Sequence, residues 1–167
     1  MARRSFSRDS AGTFRVRLRR PERELLAAIS TQLVSALDTE EPTEQPLSPR
    51  LFPVAYPDDP IAERDYRELM GAELVRSHRE ALEVLVATVD KDSLEEDQLR
   101  QWLKALEVLR LVLGTWLDVS QDDPPLSAFD AVDPRSVQRA AYDYLGGVQD
   151  DVVNALSSLL PREGREQ

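Results

Sequence analysis

The chain of 167 residues has no cysteine and a single histidine, His78. Without cysteine it can form no disulfide, no iron–sulfur site and no thiolate nucleophile. A lone histidine with no cysteine to share a metal also removes the usual zinc sites. A chain without cysteine fits a reducing compartment, and we expect a cytoplasmic protein.

Long apolar runs and nucleotide-binding motifs are missing as well. The longest apolar run, residues 111–117, is much shorter than the ~20 residues of a membrane span. Residues 1–20 lack the apolar stretch of a secretory signal. The glycine-rich loops that cradle phosphates and the GxSxG turn that presents a nucleophilic serine do not occur. These absences predict a protein without membrane association, cofactor, metal ion or catalytic residues.

Charge is present in abundance but unevenly distributed. Residues 1–20 hold seven arginines and one acid, a balance of +6, whereas residues 21–167 hold 14 basic and 30 acidic groups, a balance of −16. An acidic body repels nucleic acid, so only the basic N-terminal segment could approach phosphate groups.

Residues 13–19 alternate strictly between apolar and mostly basic side chains. This period of two predicts a half-buried strand, with Phe14, Val16 and Leu18 on the buried face. Residues 9–12 are typical of a turn, and residues 4–8 could form the opposing strand. The exposed side carries the residues that we predict to contact a partner or nucleic acid, which are Arg15, Arg17, Arg19 and Arg20. Alternatively, these arginines pair with the acidic body or blunt a sheet edge, and that edge could accept a partner's strand.

Apolar residues at helical spacing predict four helices, at residues 21–38, 61–90, 94–118 and 134–160. Asp59 and Asp133, each followed by proline, are typical of helix starts, and Ser93 with Glu96 has the spacing of a capping box. Six prolines in residues 39–60 exclude a helix there. The apolar part of that segment, residues 51–56, is expected to clamp onto the helices.

These elements predict a single domain over residues 1–167. Its class is all-α, a four-helix bundle with an N-terminal β-hairpin or strand in residues 1–20 and a long proline-rich loop between helices 1 and 2. Helix 2 is longer than such a bundle needs, so a second chain could cover part of its apolar stripe in a homodimer.

Two polar residues interrupt the predicted apolar stripes. Arg110 lies within the apolar residues 109–113, where an unpaired buried charge is costly. We therefore predict an ion pair that pins the proline-rich segment to helix 3, with Asp58, Asp59 or Asp65 as the acid. The alternative is a surface arginine whose stem lies along the apolar face.

His78, on the stripe of helix 2, is predicted to be a hydrogen-bonded core histidine rather than a functional one. Neighbouring acids are predicted to be solvated charges and caps rather than metal ligands.

Four segments carry a family resemblance, at residues 50–59, 67–69, 108–115 and 142–150. Together they resemble the actinobacterial AosR family of small helical proteins, oxidative-stress transcriptional regulators long known only as a domain of unknown function. The resemblance spans residues 14–156 and implies a non-enzymatic regulator that acts with a stress-response sigma factor on cysteine-biosynthesis genes. The family is described as sensing redox state through a disulfide. This chain, without cysteine, would sense it through a partner or not at all.

We consider three functions, in order of preference. The first is a transcription-associated protein that contacts a sigma factor or RNA polymerase. It would approach DNA only indirectly, because the connections between the helices do not match a helix-turn-helix. The second is an adaptor in Clp-type regulated proteolysis, which the gene neighbourhood described for the family implies. The third is an enzyme with clustered carboxylates facing a pocket.

Overall fold

A computed structural model describes residues 4–39, 51–117 and 132–159, which form four α-helices and a three-stranded antiparallel sheet. The elements in chain order are β1 (Phe6–Arg8), β2 (Phe14–Val16), α1 (Arg20–Thr39), α2 (Pro60–Thr88), β3 (Ser93–Leu94), α3 (Glu96–Trp116) and α4 (Pro134–Ser157). The prediction of a helical bundle with an N-terminal hairpin is confirmed.

The hairpin forms where the alternating pattern predicted it. Phe6 lies opposite Val16, and Ser7 lies opposite Arg15. The turn is closed by the Asp9 carboxylate, which accepts hydrogen bonds from the backbone of Ala11 and from Thr13. The apolar face is buried against the helices, and the Phe6 ring meets the Trp102 ring edge-on at 5.7 Å.

The start of α3 differs from the prediction. Ser93 is not a helix cap, because Ser93 and Leu94 form a third strand beside β2. Leu94 pairs with Phe14, and both side chains are almost fully buried. The helix begins two residues later, where the Gln98 side chain accepts a hydrogen bond from the Glu95 backbone. Since β2 is now the central strand, it is not an edge that a partner's strand could extend.

The helices surround α3, which packs against α2 and α4 and along part of α1. Asp59 and Asp133 cap α2 and α4 as predicted, each accepting hydrogen bonds from two backbone N–H groups of its first turn. In the proline-rich segment, Leu51 and Phe52 are buried against the bundle while Val54 and Tyr56 are exposed. The clamp predicted for residues 51–56 therefore consists of its first two residues. The rest of the predicted loop, residues 40–50, lies outside the described residues.

Only the second half of α2 carries the predicted buried stripe. Ala81, Leu82 and Leu85 are fully buried, whereas Ile61 and Leu69 in the first half are 67% and 77% exposed. The 29 residues of α2 span about 43 Å, and the 21 residues of α3 span about 31 Å. The longer helix therefore extends beyond the helix that it packs on.

Candidate functional site

Arg15 on β2 and Arg17, directly after the end of β2, are both exposed, and we call them the arginine face. Arg15 lies between Ser7 on β1 and Ser93 on β3, so its neighbours on both strands are small hydroxyl residues. Neither arginine forms an ion pair within the part of the chain that the structure describes. The same holds for Arg4 and Arg8, the other described arginines of the hairpin.

Arg19 and Arg20, which were predicted to share this contact role, both form ion pairs. Arg19 pairs with Glu22 at 3.1 Å, and Arg20 pairs with Glu24 at 2.8 Å. The Arg19 guanidinium lowers the pKa of the Glu22 carboxyl through its hydrogen bond. Of the four predicted contact residues, Arg15 and Arg17 are exposed without an ion pair among the described residues, and the other two form ion pairs at the start of α1.

Arginines on the helices mostly have carboxylate partners. The pairs include Arg64–Asp65, Arg67–Glu63, Arg76–Glu73, Arg79–Asp38, Arg100–Glu96 and Arg139–Asp143. Asp65, predicted to pair with Arg110, is thus taken by its neighbour. The described hairpin arginines, like Arg110 on α3, differ from these in having no ion pair with any residue that the structure describes.

Arg23 holds the sheet in place, a role that sequence reasoning missed. Its guanidinium donates to the carbonyl oxygens of Leu18, Val89 and Lys91 at 2.9–3.1 Å and pairs with Asp92 at 2.9 Å. The side chain is only 12% exposed. One residue of α1 thereby fixes the end of the basic hairpin to the connection between α2 and β3.

The ion pair predicted between Arg110 and Asp58, Asp59 or Asp65 does not form, and this prediction is wrong. Arg110 Nη1 donates to Gln149 Oε1 at 2.7 Å, and Nη2 lies 3.3 Å from the Tyr142 hydroxyl. Both partners are on α4. The reason is the packing of the bundle, which sets this face of α3 against α4 while Asp59 caps α2.

Arg110 lines a cleft of about 250 Å³ between α3 and α4. Its guanidinium lies 4.9 Å from the centre of the Tyr142 ring, and its Nε is buried without a hydrogen-bond partner. Glu107 and Leu111 complete the α3 wall, and Tyr142 and Gln149 form the α4 wall. The cleft combines a guanidinium, a carboxylate, a phenol and an amide in one place.

His78 is half-buried with its ring edge-on to Phe52 at 5.8 Å. Neither ring nitrogen has a hydrogen-bond partner of standard geometry among the described residues, and the backbone of Leu51 is the polar group that acts on the ring. Burial lowers the pKa of His78, and Lys104 acts in the same direction, whereas the Leu51 backbone and Glu107 act against it. Burial beneath the clamp therefore favours the neutral form of the ring.

The neighbouring acids do not gather into one site. Asp58 is exposed, Asp59 is a cap, and Asp151 accepts a hydrogen bond from the Ser5 backbone at 2.9 Å, which ties α4 to the hairpin. Asp122 and Asp123 lie outside the described residues. Among the residues described, no group of three or more histidine, aspartate or glutamate side chains is placed to hold a metal ion. No helix within the described ranges has the length and apolar character to cross a membrane.

A second depression, of about 290 Å³, lies between α1, α3 and α4. Its lining is apolar apart from Gln32 and Gln138. Leu25 of α1 and Val137 of α4 line this groove and are 37% and 44% exposed.

Comparison with known proteins identifies one family. The family model described as "Domain of unknown function (DUF2017)" matches residues 3–156, which is nearly the whole chain. No curated protein and no solved structure gives a significant match. The chain therefore belongs to the DUF2017 family.

Proposed function

We propose that this protein is a non-enzymatic cytoplasmic regulator that acts by binding other macromolecules, with the arginine face as a contact surface. The observation that carries this proposal is the exposure of Arg15 and Arg17 and their lack of ion pairs within the described part of the chain. Both are exposed and form no ion pair among the described residues of a chain whose net charge is −10, although Arg15 lies near enough to Asp9 to help lower the pKa of that carboxyl.

The arginine face suits an anionic partner surface. Side chains two residues apart on a strand lie about 6.7 Å from each other on the same face, so both guanidinium groups can engage one surface. A guanidinium forms two parallel hydrogen bonds with a carboxylate, which adds geometric specificity to the attraction. Because the rest of the molecule is strongly acidic, an extended contact with DNA would be repelled. A protein partner with an acidic patch is therefore favoured, with DNA approached only indirectly.

The first half of α2 offers a second surface for a protein. Ile61, Leu69 and Met70 are exposed there, and Val54 and Tyr56 from the preceding segment are exposed too. Exposed apolar side chains of this kind are typical of protein interfaces. This surface suits either a different protein or a second copy of the chain.

The identity of the partner rests on the family resemblance alone. We propose that the chain is an AosR-like member of its family, active in the oxidative stress response of an actinobacterium. Its partner is then a sigma factor or RNA polymerase. Redox sensing in this role would have to come from the partner, because the chain has no cysteine.

An affinity pull-down from lysate of the source organism tests the proposal. Deleting residues 1–20 is unsuitable, because Phe6, Phe14 and Val16 belong to the core. We would instead compare the wild type with Arg15→Gln/Arg17→Gln. The matched control is Arg76→Gln/Arg100→Gln, which removes the same charge from exposed arginines that already have carboxylate partners and lie outside the second surface.

We expect the wild type and the control variant to retain RNA polymerase or a sigma factor, and the Arg15→Gln/Arg17→Gln variant to lose it. Equal recovery with all three baits would remove the arginine face from the proposal. Recovery of Clp components without polymerase would favour the proteolysis adaptor instead, and the transcriptional role would be abandoned.

A further inference from the structure

The Arg110 guanidinium carries a charge for which the described chain supplies no carboxylate. Its hydrogen-bond partners, the Gln149 amide and the Tyr142 hydroxyl, are both neutral. Neutral acceptors satisfy N–H groups but supply no opposite charge, so they offset only part of the cost of desolvating a cation. The cleft therefore contains the positive charge of Arg110 without a paired negative charge among the described residues.

Glu107 presents the opposite charge on the same wall of the cleft, one helical turn before Arg110. Side chains at this spacing on a helix can form an ion pair. Nevertheless, neither residue forms one, with the other or with any further residue that the structure describes. The cleft thus offers a cation and an anion on one side, with the α4 side chains of Tyr142 and Gln149 on the other.

We propose that this cleft binds a free amino acid. The ligand carboxylate would pair with Arg110 and the ligand ammonium with Glu107. The Tyr142 hydroxyl and the Gln149 amide would donate or accept further hydrogen bonds, and Leu111 would contact the ligand side chain. This binding site is separate from the arginine face, and it does not depend on the function proposed above.

The charges of Arg110 and Glu107 together favour an amino acid over ligands that carry charge of one sign only. A phosphate or a multiply charged acid would meet the Glu107 carboxylate beside Arg110, and a simple amine would meet the Arg110 guanidinium beside Glu107. Discrimination of this kind comes from the unfavourable pairing as much as from the favourable one. A molecule with one carboxylate and one ammonium on adjacent positions satisfies both groups.

The Arg110 guanidinium lies against α4 at Gly146. A Cβ atom at residue 146 would lie 3.6 Å from Arg110 Cζ, so the guanidinium rests directly against the surface of α4. Its contacts with α4 hold the guanidinium in place before a ligand arrives. A cation that is already positioned loses less side-chain entropy on binding.

Nuclear magnetic resonance titration of the full-length 15N-labelled protein tests the proposal, with chemical shifts of α3, α4 and the Arg110 Nε–H as the readout. The three probes are L-alanine, propionate, which lacks the ammonium, and ethylamine, which lacks the carboxylate. We expect saturable shifts at the cleft with L-alanine, and binding about tenfold weaker or more with each of the other two, since each loses one charged contact.

Glu107→Gln is the main variant, because Glu107 is exposed and no fold-stabilising contact depends on it. It should weaken L-alanine binding about tenfold, to the level of propionate. Glu83→Gln makes the same change in charge on α2 and should bind L-alanine like the wild type. Arg110→Gln, if it folds, should abolish binding. The proposal is overturned if L-alanine gives no saturable shift at the cleft, if propionate binds as tightly, or if Glu107→Gln leaves the affinity unchanged.

Discussion

At the scale of single residues, the largest fully buried side chain depends on one hydroxyl for its polar atom. Trp102 Nε1 donates to Thr88 Oγ1 at 2.8 Å, and both residues are buried. We expect Thr88→Val to lower the free energy of unfolding by about 1–3 kcal/mol, because the indole N–H would stay buried without an acceptor. Urea unfolding followed by circular dichroism measures the change. Thr88→Ser keeps the hydroxyl and should lose less, and equal losses for the two variants would contradict this account.

Ser30 shows the opposite situation, a buried hydroxyl without a partner. Its Oγ lies inside α1, fully buried and without a hydrogen bond among the described residues. We expect Ser30→Ala to raise the free energy of unfolding by about 1 kcal/mol, since it removes an unpaired polar group and alanine is the better helix former. Ser35→Ala is the control for helix propensity, because that serine is exposed and bonded to the Thr31 carbonyl. A larger gain at Ser35 than at Ser30 would show that burial of the Ser30 hydroxyl is not costly.

At the scale of elements, α4 carries two adjacent glycines in its middle, Gly146 and Gly147. A Cβ atom at residue 147 would meet nothing within 4 Å. We therefore expect Gly147→Ala to stabilise the protein by about 1 kcal/mol through helix propensity alone. Gly12, in the hairpin turn, has a φ of +91°, and there the same substitution should destabilise by a similar amount because the side chain is strained. Thermal unfolding of the two variants should thus shift in opposite directions.

The helices could be predicted well from local signals, whereas the sheet and the cleft could not. Apolar spacing and the Asp–Pro starts of α2 and α4 are local features, and both caps form as predicted. The capping box predicted at Ser93 failed because the Leu94 side chain is buried opposite Phe14, 80 residues away in the chain. The sequence around Leu94 does not predict that it pairs with Phe14.

The contacts of Arg110 could not be predicted for the same reason, because its partners are distant in the sequence. The apolar neighbours of Arg110 correctly indicated that it needs a partner. Its actual partners are 32 and 39 residues further along the chain, on α4. Choosing between these neutral residues and the abundant acids required knowing which face of α3 meets which helix. The apolar pattern of one helix predicts which of its residues are buried, but it does not predict which residues of another helix they contact.

At the scale of the whole molecule, acid should destabilise the fold in two separate steps. His78 is the only histidine of the chain, and burial lowers its pKa below the ordinary value of 6.5. Between the lowered folded value and 6.5, the unfolded chain binds more protons than the folded one, so the free energy of unfolding falls as the pH drops through that window. Asp9, Glu22 and Glu63 also have lowered pKa values. Their contribution is lost progressively below about pH 5, as the pH falls through the unfolded and then the folded pKa values.

Denaturant unfolding at a series of pH values from 8 down to 5 isolates the first step, and His78→Gln is the matched variant because it stays neutral throughout. Protonation places a charge beneath Phe52 and near Lys104, so the wild type should lose stability below pH 6.5 while the variant keeps a flat profile. The step at low pH should be common to both proteins, because the three carboxylates are unchanged. A wild type whose stability is constant down to pH 5, or a variant with the same slope, would show that His78 is not held neutral by burial. In that case the clamp formed by Leu51 and Phe52 would not exclude water from the ring.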